Sequence, residues 1–327
     1  MKILHIISDS FFRARRRTAQ DMMVALADAG ADNVALSDAA LPILTAGFGF
    51  KDGIMSRFKI WRIVHGERPD AVIRWGAEAR ALKLSGIPLD LSFGTLGDDF
   101  KSFDPAAVVL CDSGQALAAA RAAGFSGAKA FLIPPFCYDY GALASRRELF
   151  VPERATVIYV AGAFTRDAGF EEIMLSLASV RDAYFVIQGT GDEPYVAGVA
   201  QNAGIKSRCR FVPDIEKTAC LLDMCDFAVL PQSPDFLSWA VAAMKGRRLI
   251  LTAKTPLSAE LLDRGSAMFV ELRDPYLMKK KLSEIIESGP EFRAPLVEAA
   301  AAEAEALTPS RAANALLARL KELAGKQ

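Results

Sequence analysis

The sequence has 327 residues, 52% of them hydrophobic, and its 39 Lys+Arg balance 39 Asp+Glu. This length and apolar content predict two globular domains and exclude global disorder, while the balanced charge excludes a protein that coats nucleic acid through bulk charge. Two histidines and five scattered cysteines without a C-x-x-C pair lead us to expect no metal site. With no signal-peptide pattern and no long apolar run, we expect a cytoplasmic protein, with peripheral contact at the inner membrane face left open.

Short apolar runs alternate with longer amphipathic segments along the whole chain. The predicted strands of the first half are 2–8, 33–37, 71–75, 89–93, 107–111 and 128–134. Those of the second half are 156–162, 183–189, 209–213, 227–231, 248–253 and 267–272. Because these runs lack polar alternation, they indicate strands buried on both faces, as in parallel sheets. The pattern therefore predicts an α/β protein with two doubly wound, Rossmann-like domains.

A run of arginines, 13–17, follows the first predicted strand. Thr18 with Asp21 three residues later has the pattern of a capping box, so the next helix is predicted to begin there, after an arginine loop. Guanidinium groups bind phosphate and carboxylate in bidentate fashion, and a helix N-terminus adds positive potential. The run predicts an anion site for a phosphate, an acidic acceptor or anionic lipid headgroups. A solvated basic loop paired with surface carboxylates is the alternative.

A glycine pair, Gly189 and Gly191, ends the predicted strand at 183–189. Glycines there allow the backbone to approach a phosphate at the start of the following helix. The dinucleotide-binding fingerprint requires another glycine where Pro194 stands, which argues against a nicotinamide oxidoreductase. A plain strand-to-helix turn is the alternative.

The order of VIYVAGAFTRDAGFEEIM, FVIQGTGDEP, CRFVPDIEK, FAVLPQS and AAMKGRRLILTA, preceded by RPDAVIRW and VVLCDS, resembles the retaining glycosyltransferases of the GT-B fold, family 4 or group 1 type. The resemblance implies two Rossmann-like domains facing a cleft. We place the N-terminal, acceptor-side domain at 1–150 and the C-terminal, donor-side domain at 151–307, with a final helix at 308–327 packing back on the first. It also implies a nucleotide-sugar substrate, no cofactor and no dedicated histidine base.

Several positions that hold the donor in that family carry other residues here. The arginine and lysine that bind the donor diphosphate fall on Ala163 and Ala168, and the two glutamates of the pattern fall on Pro234 and Ala242. A charge-assisted hydrogen bond contributes about 1.5–3 kcal/mol, so the loss of the two phosphate cations and of the second glutamate, which accepts from the ribose, would weaken donor binding by roughly 4–8 kcal/mol without compensation. The resemblance therefore predicts either a rearranged donor site or a protein that does not bind the usual donor.

We expect the rearranged site to draw on both domains. The predicted donor- and phosphate-binding residues are Arg15, Arg16, Arg166, Gly189, Gly191, Asp235 and Ser238. The predicted acceptor-side residues are Arg13, Trp75 and Thr95, with core packing as the alternative for Trp75. No catalytic residue is assigned.

Two functions follow from the resemblance. The first is a hexosyl-type glycosyltransferase that moves a sugar from a nucleotide sugar to a glycan or lipid-linked acceptor in envelope polysaccharide or lipopolysaccharide synthesis. The second is a catalytically inactive relative that binds a glycan, a nucleotide or a partner transferase. Neither requires a nucleic-acid partner.

Overall fold

The chain is built on two parallel six-stranded sheets, each in its own compact unit. The computed structural model describes residues 1–37, 54–82, 84, 86–141, 144–212, 215–262 and 265–325. Unit 1 comprises Met1–Pro135 and Pro309–Gln327, and unit 2 comprises Phe136–Thr308. All twelve predicted strands are present, some with shorter bounds, and the doubly wound α/β class is confirmed.

The sheet of unit 1 has the strand order β2-β1-β3-β4-β5-β6, with every neighbouring pair parallel. Its strands are β1 (Lys2–Ile7), β2 (Asp32–Ser37), β3 (Ala71–Trp75), β4 (Leu89–Gly94), β5 (Val108–Cys111) and β6 (Ala130–Leu132). Its helices are α1 (Asp9–Asp28), α2 (Ile54–Glu67), α3 (Ala77–Arg80), α4 (Gly114–Ala122) and α12 (Pro309–Ala324).

The helix α12 packs against α1, within unit 1. It begins at Pro309, whose missing N–H and fixed φ suit the first turn of a helix. Leu316 and Leu320 are buried, whereas Leu323 is partly exposed. No helix within the described ranges is long and apolar enough to cross a membrane.

The sheet of unit 2 has the order β12-β11-β10-β7-β8-β9 and is also parallel throughout. Its strands are β7 (Thr156–Phe164), β8 (Ala183–Gly191), β9 (Cys209–Val212), β10 (Phe227–Val229), β11 (Leu249–Thr252) and β12 (Met268–Phe269). Its helices are α5 (Phe170–Ala178), α6 (Glu193–Asn202), α7 (Thr218–Asp223), α8 (Phe236–Lys245), α9 (Pro256–Leu262), α10 (Pro275–Glu287) and α11 (Gly289–Ala304).

The central strand β7 is apolar on both faces because helices cover both sides of the sheet. Val157 and Tyr159 pack with residues of α7, α8, α9 and α11, while Ile158 and Val160 pack with residues of α5, α6 and α10. Alternate residues of a strand point to opposite faces, so one continuous apolar run fills two cores. The loops at the carboxyl end of this sheet therefore remain as its polar edge.

Candidate functional site

The strand order of unit 2 places a topological switch point between β7 and β10. The chain runs outward from β7 through β8 to β9, and then outward on the other side from β10 through β11 to β12. In open α/β sheets of this order, ligands bind in the crevice outside the carboxyl ends of the strands at that point. A ligand site in unit 2 is therefore expected at the loops after β7 and β10.

A cleft of about 520 Å³ lies at this carboxyl edge. Four segments contribute to its wall: the loop after β7, the residue Gln232 after β10, the loop after β11, and β12 with the turn that follows. The lining residues are Asp167, Ala168, Gly169, Gln232, Ala253, Lys254, Thr255, Phe269, Val270, Glu271, Leu272 and Arg273. The volume falls within the range of small-molecule sites in proteins.

Among the described residues two cations line the cleft, and both are exposed. The Lys254 Nζ lies 5.6 Å from the ring centroid of Phe269, within the range of a cation–π contact. Arg273 donates from Nη2 to the main-chain oxygen of Asp167 at 2.9 Å, and its backbone N–H donates to the Glu271 carboxylate at 3.2 Å. The cleft thus has two positive groups, one of which is tied to the loop after β7.

A hydrogen-bonded network holds Gln232 at the cleft wall. Its Nε2 donates to Thr252 Oγ1 at 2.9 Å, and its Oε1 accepts from Thr255 Oγ1 at 2.9 Å. Thr252 in turn donates to the Leu230 carbonyl at 2.8 Å. With both ends of its amide engaged, Gln232 is fixed in orientation, which gives this wall a rigid polar surface.

Two buried hydroxyl oxygens lie in the loops that begin at the switch point, Thr165 Oγ1 and Ser233 Oγ. Neither has a hydrogen-bond partner in the described part of the chain. The Ser233 Oγ packs over Gly162, where a Cβ would approach it to 2.8 Å. Both oxygens are buried, and neither residue is among those that line the cleft.

β8 runs two residues further than predicted, so Gly189 lies inside the strand and Gly191 is its last residue, directly before the N-cap of the next helix. The phosphate-binding role of the pair stays a prediction. β8 continues to Gly191 and pairs with β7, with Gly189 opposite Gly162. A Cβ on Gly189 would lie 2.0 Å from the Gly162 carbonyl oxygen, so close strand approach explains this glycine. The helix α6 that follows is capped by Asp192, whose carboxylate accepts from the Tyr195 N–H at 3.0 Å. A carboxylate at that position disfavours a phosphate.

The other predicted donor residues of unit 2 are dispersed around the same edge. Arg166 is exposed, and its guanidinium lies 4.9 Å from the ring centroid of Tyr195. Asp235 and Ser238 are buried at the start of α8. None of the three lines the cleft, so their donor roles stay predictions. Ala168, by contrast, lies in the cleft wall beside the residue whose carbonyl accepts from Arg273.

The arginine run of unit 1 is helical, so the predicted loop and the predicted helix start at Thr18 are wrong. α1 begins at Asp9, with Ser8 as N-cap accepting from the Phe11 N–H at 3.4 Å. Arginine and alanine are good helix formers, so the run continues the helix once Ser8 has capped it. Only Arg15 departs from helical geometry, at φ −136° and ψ 38°, where the helix kinks.

Most of these arginines have carboxylate partners. Arg13 pairs with Asp9 at 2.6 Å, and Arg15 pairs with Asp112 at 2.8 Å. Arg17 is fully buried 3.5 Å from Asp21. Burial raises the pKa of Asp112, and the Arg15 charge opposes that shift.

Arg16 donates to Gln20 Oε1 at 3.3 Å and lies 5.8 Å from the Phe12 ring centroid. An anion at the arginine run would compete with internal carboxylates, so the predicted roles of Arg13, Arg15 and Arg16 gain no support from the geometry.

The two remaining acceptor-side candidates belong to internal networks of unit 1. Trp75 is fully buried, with its Nε1 donating to His5 Nδ1 at 3.2 Å and its ring 4.4 Å from that of Phe93. Burial lowers the pKa of His5 to about 4. Thr95 donates its N–H and its hydroxyl to Asp98, at 2.8 and 2.9 Å. These contacts fit packing and turn formation, and the acceptor roles stay predictions.

Lys254 and Arg273 were not predicted from the sequence, because neither belongs to a dense charge run or to a position of the family pattern. A positional signal was nevertheless available. Lys254 comes two residues after β11, and Arg273 directly follows the predicted strand 267–272. Because parallel strands end at one edge of a sheet, cations just after two neighbouring strands are brought to that edge together.

Comparisons with known proteins show the fold. No protein-family model matches the sequence, and no curated protein shows detectable sequence similarity to it. Among solved structures, Anabaena Alr3699/HepE in complex with UDP-glucose is similar over 98% of this chain and 100% of its own, with TM-score 0.79 and 16% identity. WaaG, a glycosyltransferase involved in lipopolysaccharide biosynthesis, is similar over 96% and 99%, with TM-score 0.68 and 12% identity.

A putative UDP-N-acetylglucosamine 2-epimerase from Listeria monocytogenes is also similar, over 100% of this chain and 97% of its own, with TM-score 0.67 and 13% identity. The predicted GT-B architecture is thus shared with proteins of different named activities. The architecture by itself does not choose among them.

Proposed function

We propose that the protein is a glycosyltransferase that uses a nucleotide-sugar donor, and that the donor binds at the carboxyl edge of the sheet in unit 2. The observation that carries the proposal is the cleft at this edge, with Lys254 and Arg273 in its wall. A nucleotide sugar presents a diphosphate, which requires cations, and many hydroxyls, which require polar partners.

The comparisons support this choice of ligand and reaction. HepE, which has the same fold, was crystallised with UDP-glucose, and WaaG is a glycosyltransferase. By analogy we propose a uridine diphosphate sugar as the first donor to test and a glycan or lipid-linked saccharide as the acceptor. Retention of anomeric configuration is part of the proposal and rests on the resemblance of the motifs.

In such a reaction the protein must stabilise the nucleoside diphosphate as it leaves. When the glycosidic bond to phosphate breaks, negative charge develops on the departing oxygen, and positive groups placed there lower the barrier. Lys254 and Arg273 would supply that charge, and the fixed amide of Gln232 would hold polar atoms of the ligand. No histidine is among the residues that line the cleft.

Binding and turnover test the proposal in sequence. A donor at about one hundred times its dissociation constant adds about 2.7 kcal/mol to the stability of the unit that binds it, which corresponds to a rise in Tm of roughly 5–10 °C for a unit of this size. Proton NMR of the anomeric region then follows UDP-glucose with and without candidate acceptors. A thermal shift with slow hydrolysis or transfer supports a transferase.

Other outcomes would select other functions. Binding without turnover for any common donor or acceptor would favour the inactive relative. Isomerisation of UDP-N-acetylglucosamine at C2 without an acceptor would favour an epimerase, the activity named for the similar Listeria protein.

A further inference from the structure

We infer that Arg273 and Lys254 are the residues that bind the diphosphate of the donor, from the loops after β12 and β11. The inference rests on the proposed function for the identity of the ligand and assigns its charge recognition to two particular side chains. Neither residue belongs to the set predicted from sequence. Both line the same cleft, and both are exposed.

Arg273 is held in a position suited to an anion. One N–H of its guanidinium donates to the Asp167 carbonyl oxygen at 2.9 Å, across 106 residues of sequence. A guanidinium has five N–H donors, and this bond uses one of them. The anchor is a neutral carbonyl, and within the described residues no carboxylate forms an ion pair with this guanidinium, so its remaining N–H groups can still donate to a phosphate.

The chain leaves space beside this guanidinium. Ala168 and Gly169 form the adjacent wall, and Gly169 has φ +79°, a conformation that favours glycine. The Arg273 Cγ lies 3.9 Å from where a Cβ on Gly169 would be. Small residues at both positions keep a larger side chain from filling the space next to the charge.

The cleft contains as many acidic as basic side chains, and this balance narrows the ligand class. Asp167 and Glu271 line it together with Lys254 and Arg273. A wall of zero net charge does not concentrate polyanions through a long-range field, so phosphate recognition depends on direct contacts with the two cations. It suits a ligand that presents phosphate oxygens to the cations and hydroxyl groups to the carboxylates, as a nucleoside diphosphate sugar does.

Competing cations in the described residues are less well placed. Arg13 and Arg15 pair with carboxylates, Arg16 donates to Gln20, and Arg166 lies over the Tyr195 ring; none of these four lines the cleft. Arg273 and Lys254 are the two basic side chains that line the cleft.

The test measures affinities for UDP and uridine in the full-length protein, by calorimetry and by saturation-transfer NMR. The variants are Arg273→Gln and Lys254→Gln, with Arg181→Gln as the matched control. Arg181 is exposed and precedes β8, so it lies at the amino edge of the same sheet, away from the cleft. Each cleft variant should weaken UDP binding about 10- to 150-fold while leaving uridine binding unchanged. Arg181→Gln should change neither.

Two results would overturn the inference. One is UDP affinity within twofold of wild type in both cleft variants. The other is an equal loss of UDP and uridine, which would assign the residues to the shape of the cleft rather than to phosphate. Arg273→Lys keeps the positive charge but loses the planar, bidentate guanidinium, so its UDP affinity should lie between those of Arg273→Gln and the wild type.

Failure of the proposed function is distinguishable from failure of this inference. If wild-type protein binds none of UDP, GDP, ADP or their sugar conjugates, the proposed function fails. The assignment of the two cations then survives only if inorganic pyrophosphate binds to wild type and not to Arg273→Gln, and it falls otherwise.

Discussion

Substitution of Gly189 by alanine tests whether this glycine is required for strand packing or for ligand binding. A Cβ at this position would lie 2.0 Å from the carbonyl oxygen of Gly162, the residue it faces on β7. Real Cβ atoms essentially never lie closer than 3.0 Å to such a neighbouring atom, so β7 and β8 must separate by about 1 Å. The obstructing atom is backbone, which no rotamer change can move aside.

The expected cost follows from this geometry. Overpacking a core costs about 1–3 kcal/mol, and disturbing the ladder between β7 and β8 adds about 1 kcal/mol for a weakened hydrogen bond. We expect Gly189→Ala to lower the unfolding free energy of unit 2 by about 3 kcal/mol. For a unit of this size the Tm falls by roughly 6–12 °C.

Gly198 provides the matched control. It lies in the following helix, α6, where a Cβ would meet nothing within 4 Å. Gly198→Ala should raise stability by about 0.5–1 kcal/mol, because alanine is the better helix former. Urea unfolding followed by circular dichroism compares the two variants. Wild-type stability of Gly189→Ala together with lost UDP binding would refute the structural assignment and restore a phosphate-contacting glycine.

Other predictions concern unit 1. Well above pH 6.5 the imidazole of His5 is neutral in both the folded and the unfolded protein. Between pH 6.5 and the folded-state pKa of about 4, the unfolded protein takes up a proton on this ring and the folded protein does not. The free energy of unfolding should therefore drop by about 2 kcal/mol between pH 7 and pH 5. In urea titrations His5→Gln should reduce this pH-dependent loss, and a pH profile equal to that of the wild type would contradict the role of His5. Arg15→Gln should destabilise the protein by about 2 kcal/mol, because it leaves the Asp112 carboxylate without its ion-pair partner. The double variant Arg15→Gln/Asp112→Asn should recover part of that loss. Additive effects of the two substitutions in this double-mutant cycle would argue against a stabilising ion pair. Trp75→Phe should lower Tm without altering acceptor KM, whereas a raised KM at unchanged Tm would assign the ring to the acceptor.

The strands were predictable because burial on both faces leaves a plain signature in sequence. β7 and β8 are interior strands of their sheet, and their apolar runs predict them without further information. The start of α1 was mispredicted because a dense charge run resembles a loop. Ser8 caps the helix before the arginine run begins. Thr18 is a residue type that favours an N-cap, but it lies in the interior of the helix.

The candidate site was less predictable because its parts come from distant positions. Arg273 and Asp167 are 106 residues apart, and their contact depends on how the loops after β7 and β12 meet. The family resemblance predicts cations at two positions that carry Ala163 and Ala168 here. Which other side chains lie close enough to the cleft to supply positive charge depends on tertiary structure, which single-sequence motifs do not encode.

Hydrogen–deuterium exchange with and without UDP-glucose tests the central claim most directly, since it reports where on the chain the donor binds. The account predicts slowed exchange in the segments 165–172, 253–258 and 268–274, which form the cleft of unit 2. Slowed exchange confined to residues 9–20, around the arginine run of unit 1, would contradict it.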